Sequence, residues 1–200
     1  MEIRTDLLKF IVQQMNPEKY LEIGIQEGIN FESIKVNTKI GVEPNPRREQ
    51  KNVLKVTSDE FFAMTNPDYY GFDLIFIDGL HTEKQTWIDL QNSLERLNEN
   101  GIIVMHDALP HRIEYTSMLW CGTSYKSIMR ASQTSGLKVR TWENDHGCAI
   151  IVKDQTVIIE KPITTEFEDL WKNNGAVVGK STTDEIINYI KSLASLQDAG

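Results

Sequence analysis

The chain has 200 residues, 40% hydrophobic and 25% charged, a globular composition with enough length for one full core. Lys and Arg total 21 against 29 Asp and Glu, a net charge of −8 that argues against gripping phosphate backbones or anionic membrane surfaces. No apolar run approaches the roughly 20 residues that cross a bilayer, residues 1–15 lack a signal peptide's apolar centre, and Cys121 and Cys148 stand in no metal-like spacing. The expectation is a cytoplasmic protein with reduced thiols and no membrane or nucleic-acid partner.

Ile3, Leu7, Ile11 and Met15, spaced four apart, predict an amphipathic helix that ends before Pro17. Residues 20–23 form a first strand candidate, with a helix near Gly28 to Val36. A second strand at 39–43 is stopped by Pro44 and Pro46, and a weaker third lies at 53–56. The near-continuous apolar run from Phe72 to Ile77 suits a central strand covered on both faces. Trp87, Leu90, Leu94 and Leu97 give a helix over 82–98, stopped by Asn100-Gly101, and Ile102 to His106 is the fifth strand. Residues 137–142 and 148–152, joined by a short polar turn, read as an antiparallel hairpin. Strand–helix alternation of this kind implies a doubly wound, mostly parallel α/β sheet, whose ligands sit at the carboxyl ends of its strands.

After the first strand stands Glu22-x-Gly24-x-x-x-Gly28, where glycines allow a sharp turn and close approach to a ligand. Glu43 ends the second strand 19 residues beyond Gly24, the place from which a carboxylate receives a ribose diol. Gln26 replaces the second glycine of a dinucleotide fingerprint, and acidic Glu27 stands where a pyrophosphate would lie. The loop therefore favours an adenosine-like ligand with a cationic or zwitterionic end, such as S-adenosylmethionine.

With Gly41-Val-Glu-Pro44, Phe72-Asp-Leu-Ile-Phe-Ile-Asp-Gly-Leu-His81 and Asn100-Gly-Ile-Ile-Val-Met-His-Asp107 added, the chain resembles the class I S-adenosylmethionine-dependent methyltransferases, in the branch called methyltransferase family 24. The resemblance covers residues 18–153. It implies a Rossmann-like, seven-stranded sheet with an antiparallel last strand. By motif, Glu22, Gly24 and Gly28 would frame the cofactor's methionine end and Glu43 its ribose, with Asp78 also in the cofactor pocket. Asp59 matches the position that reaches the adenine amino group; read from the residues alone, it is equally an N-cap for a helix over 60–64.

Asp78 ends the fourth strand, and His106 and Asp107 end the fifth, on strands about 4.8 Å apart. Alternation sends His106 and Asp107 to opposite faces unless the strand breaks between them. Two routes for methyl transfer to oxygen are open. In one, Asp78, Asp107 and His106 hold magnesium or manganese, which binds the acceptor hydroxyl. In the other, His81 or His106 is a metal-free general base. The resemblance supports an acid after strand four and an acidic or amide pair after strand five, from which His106 departs. The catalytic candidates are Asp78, His81, His106 and Asp107. His111, His146, Trp120 and Tyr125 are weaker candidates for the acceptor's surroundings, with core or loop roles as the plainer reading.

Residues 1–153 are read as the methyltransferase domain and 154–200 as an extension. Strand character at 156–159 and helices at 166–173 and 183–196 would pack on the same domain, on a homodimer partner or over the acceptor site. The expected activity is methylation of a small molecule, on oxygen and extending to sugar hydroxyls. The alternatives are a small-molecule N-methyltransferase, a catalytically silent cofactor-binding module and, less favoured, a dinucleotide oxidoreductase.

Overall fold

In the computed structural model, which describes residues 1–158, 166–172 and 174–197, strand β4 (Phe72–Ile77) is the central strand. Its side chains divide by alternation. Leu74 and Phe76 enter one core layer, Ile75 and Ile77 the other, and all four are fully or almost fully buried. Parallel neighbours flank it: β1 (Lys19–Ile23) on one side and β5 (Leu97–Met105) on the other. Beyond β1 lie β2 (Thr38–Val42) and the two-residue β3 (Val53–Leu54). Beyond β5 come β7 (Cys148–Ile158), β6 (Ser135–Trp142) and β8 (Lys180–Ser181), completing the order β3-β2-β1-β4-β5-β7-β6-β8. Among the described strands β7 alone runs antiparallel, paired with β5 and β6. The expected seven-stranded doubly wound sheet is present, with one short strand added from the tail.

Helices α1 (Arg4–Met15), α2 (Ile29–Ser33) and α7 (Thr183–Gln197) cover the Leu74 face through Leu7, Leu8, Ile11, Phe31, Ile186 and Ile190. Helices α3 (Ser58–Ala63), α4 (Glu83–Arg96) and α5 (Ser124–Ala131) cover the Ile75 face through Phe61, Trp87, Leu90, Ile128 and Met129. Each fully buried aliphatic side chain of this kind contributes roughly 1.5–3 kcal/mol. The short α6 (Phe167–Trp171) adds Leu170 to the second layer.

Several boundaries differ from the sequence expectation, for tertiary reasons. Helix α4 ends at Arg96 because Leu97 already pairs with Phe72; Gly101 gives Leu97 room, since a Cβ there would meet its side chain at 2.7 Å. Helix α2 stops at Ser33, where the Lys39 ammonium takes the carbonyls of Phe31 and Ile34. Residues 156–158 continue β7 rather than forming a separate strand, and Ile159 lies outside the described residues. In the tail, α7 packs on α1 and β6.

The strand ends stay in register one residue further. Gly24 N–H bonds Val42 O, Glu43 N–H bonds Leu54 O, Asp78 N–H bonds Ile23 O and His106 N–H bonds Ile77 O. These four residues therefore form one row along the carboxyl edge of the sheet.

Candidate active site

The row begins with a loop shaped by backbone contacts. Gly24 has φ +87°, and a Cβ there would lie 2.1 Å from the Asp78 carbonyl oxygen. Gly28, at φ +79°, starts α2, and a Cβ there would collide with the Gln50 side chain. No L side chain fits either position without moving its neighbours. Glu43 pins the turn between them: Oε2 accepts from the N–H groups of Ile25 and Gln26, both at 3.2 Å, and Oε1 from Asn45 N–H at 3.0 Å. Glu27, at the turn's tip, is paired with Arg47, so it repels an anion less than its charge alone suggests. Glu22 lies beneath the loop, 1% exposed, accepting from the Tyr20 hydroxyl at 2.7 Å. Burial pushes its carboxyl up to about 8, and the nearby Asp78 charge adds to the rise.

Asp59 lies apart from this group on the first turn of α3, accepting from Gln85 Nε2 at 2.8 Å. It is not the helix cap. Thr57 is, with Glu60 completing a reciprocal pair of bonds.

Asp78, His81, His106 and Asp107 form one cluster. Asp78 Oδ1 lies 3.2 Å from His106 Nδ1 and 3.5 Å from His81 Nε2. Asp107 places Oδ1 3.4 Å from His106 Nδ1 and Oδ2 3.3 Å from His81 Nδ1. Strand β5 ends at Met105 and Asp107 takes φ +60°, so pleat alternation fails and both side chains turn to the same cleft. Asp145 and His146, in the β6–β7 turn, also have positive φ, at 50° and 59°. Such conformations cost about 1–3 kcal/mol each and persist where surrounding contacts impose them.

His106 is 7% exposed and donates Nε2–H to the Asp145 carbonyl at 2.8 Å, while Nδ1 faces two carboxylates. A ring with acceptors at both nitrogens is an imidazolium. Burial opposes that charge, but Asp78, with hydrogen bonds to Asp107 and Asp145, outweighs it and holds the ring well above its ordinary value. In turn, Asp78 and Asp107 stay ionised below the usual carboxylate range: burial opposes this, and His106 overcomes it. His81 is raised to about 9, first by its hydrogen bond to Asp78 and, against burial, by the Asp107 charge.

The sequence reading placed a metal among Asp78, His106 and Asp107. In the structure the side chain grouped most closely with the two aspartates is His81. Ligand atoms of Asp78, His81 and Asp107 lie within 4.8 Å of one another; both rings have protein oxygens near both nitrogens, but His81 is partly exposed and His106 is buried. Two further charged groups reach the cluster, and neither stands in any motif. Arg4, the first residue of α1, puts Nε 3.3 Å from Asp78 Oδ2 and Nη1 3.1 Å from Asp145 Oδ2. Asp145 Oδ2 also accepts the Arg4 backbone N–H at 2.7 Å, capping α1 from 141 positions away.

One lip of the cleft is aromatic. Trp120, half exposed, receives His81 Nδ1–H at its carbonyl, and Gly122 at φ +56° lets the two segments meet. The rings of Tyr115, Trp120, His146 and His111 form a continuous group with centroids 5.0–6.4 Å apart. Tyr125 is elsewhere, in the core against Phe167. Cys121 is buried beside Asp107 and Cys148 beside His106; burial raises both thiols, Cys148 to about 12, and neither forms a disulfide.

A family model described as a methyltransferase domain matches residues 21–108. No curated protein sequence matches the chain. Among solved structures, the SAH-bound methyltransferase PaMTH1 of Podospora anserina superposes with a TM-score of 0.58 at 16% identity, over 76% of this chain and 78% of that one. An O-methyltransferase of Bacillus cereus in complex with SAH gives 0.54 at 15%, over 75% and 80%. The O-methyltransferase TomG of Streptomyces achromogenes, involved in tomaymycin synthesis and solved with SAM, gives 0.54 at 11%, over 76% and 80%. At these identities the likeness establishes the shared fold.

Proposed function

We propose that this chain, which belongs to the class I S-adenosylmethionine-dependent methyltransferases, transfers the cofactor's methyl group to an oxygen of a small molecule. The observation that carries the reading is the convergence of Asp78, His81 and Asp107 beside a loop whose glycines exclude any side chain. In this reading the tight turn that Gly24 and Gly28 permit against Asp78 and Gln50 shapes the seat of the cofactor. Glu43 accepts three N–H bonds and retains about one lone pair for a ribose hydroxyl. Asp59 is given the adenine end, where Gln85 would have to yield its bond.

Methyl transfer is an in-line displacement, so the acceptor oxygen must lie close to the sulfonium and shed its proton. Neither histidine is a ready base: the rings of His81 and His106 are both held protonated near neutral pH. His81 would likewise have to give up its proton to hold a cation, so the cation-assisted route rests on the grouping of Asp78, His81 and Asp107 rather than on protonation. Asp78, Asp107 and a neutral His81 suit magnesium or manganese, which when bound would lower the pKa of an acceptor hydroxyl. His106 keeps both aspartates ionised and aimed. The ring group at the lip offers flat faces on which a sugar or another compact acceptor can stack.

The described part of the tail is assigned to the same unit as 1–153, since Ile186 and Ile190 of α7 lie in its core. No helix among the described residues is long and apolar enough to cross a membrane. Calorimetric titration with S-adenosylhomocysteine, with and without magnesium or manganese, tests the cofactor assignment. Absence of binding overturns the reading, and turnover that survives EDTA removes the cation from it.

A further inference from the structure

Arg4 belongs to no motif, yet it is the one lysine or arginine paired with the acid cluster among the described ion pairs. Two features fix it there. Asp145 holds it by backbone and side chain together. Helix α1, which carries it, is anchored through buried Leu7, Leu8 and Ile11. Its Nε is buried and makes no hydrogen bond, so at 3.3 Å its hold on Asp78 Oδ2 is one of charge rather than of aimed donation. The other Asp78 oxygen faces His106 and His81. Both oxygens of the carboxylate therefore already face a cationic group of the protein.

We propose that Arg4 is a specificity-determining counter-ion of the site: it competes for Asp78 with any incoming cation and so sets how strongly the Asp78–His81–Asp107 cluster retains a divalent metal. The inference deepens the cation-assisted reading above and rests on it. A fixed positive charge beside one ligand oxygen weakens cation binding through simple Coulomb repulsion. The arrangement would favour a loosely held, exchangeable ion over a permanent one.

The test is manganese titration of the full chain, followed by electron paramagnetic resonance, in the wild type and four variants. Arg4→Met is expected to bind manganese roughly tenfold more tightly, and Arg4→Gln, which retains a donor for Asp145, to share that gain. Arg4→Lys, which keeps the charge, should stay within about threefold of the wild type. Asp145→Asn loosens the same anchorage of α1 but removes a negative charge, so it should bind manganese no more tightly than the wild type. A structural role alone would move Arg4→Met and Asp145→Asn in the same direction. The proposal is overturned if the neutral Arg4 variants bind manganese no better than the wild type, if Asp145→Asn gains as much as they do, or if no protein in the series binds it. Thermal unfolding of each variant identifies those that have lost the fold, and Arg4→Gln then carries the comparison. Failure of the wild type to bind S-adenosylhomocysteine would sink the methyltransferase reading and leave the manganese ranking intact.

Discussion

The two halves of the cleft are built differently. On the β1–β2 side the site is backbone: two glycines at positive φ, a turn pinned by Glu43, and N–H groups already satisfied. On the β4–β5 side it is side chain: two aspartates and two histidines held by one another, by Arg4 and by the β6–β7 turn. A backbone site depends on residues close together in sequence. A charge network depends on groups that only the completed fold brings together, and its members set one another's protonation.

That contrast can be broken first at Gly24. Gly24→Ala puts a Cβ against the Asp78 carbonyl and forces an alanine to positive φ, so S-adenosylhomocysteine binding should fall at least 100-fold by calorimetry, with the melting temperature lowered as well. Retained binding would mean that the loop is not the cofactor's seat.

Glu22 joins the halves, since the Asp78 charge helps raise its carboxyl to about 8. A carboxyl raised above its unfolded value gives stability that is fully present below about pH 4.5 and is lost as the pH climbs through 8. The wild type should therefore lose up to about 4 kcal/mol across that window from this group, and Glu22→Gln should not. Urea unfolding at pH 5, 7 and 9 measures it; parallel curves for the two proteins would refute the assignment.

On the network side, Asp107→Ala should reduce kcat/KM about 100-fold while S-adenosylhomocysteine affinity changes by less than about threefold. Equal losses in both would erase the division between the halves. The smallest effect is expected at Glu43. Glu43→Ala removes an acceptor for one ribose hydroxyl together with the turn's anchor, and cofactor affinity should drop roughly tenfold with kcat at saturation nearly unchanged.

Legibility in the sequence followed the same division. Spacing alone singles out Gly24, Gly28 and Glu43, and the structure brings all three to one turn after β1, because short-range steric demands leave fixed residue types at fixed intervals. Asp78, His106 and Asp107 stand out by their place at strand ends, but that His81 groups with the two aspartates is visible only in the fold. Strand alternation left open whether His106 or Asp107 faces the cleft; the positive φ of Asp107 turned both inward, and the carbonyl of Asp145 then engaged the ring of His106. Arg4 had no signal beyond its position in an amphipathic helix. Asp145 had none beyond that of a turn residue, since each acquires its role through a partner 74 or 141 positions distant. Thr57, rather than Asp59, caps α3, a local choice between adjacent polar residues that spacing does not resolve.

What the residues alone determined was the layered sheet and the loop at its edge. Apolar periodicity dictates which face is buried, and glycine alone accepts the required backbone angles. The tertiary structure decided the protonation and partners of the acid cluster. Those depend on distances between segments far apart in the chain and on the loss of solvent around them, and neither property belongs to any single stretch of sequence.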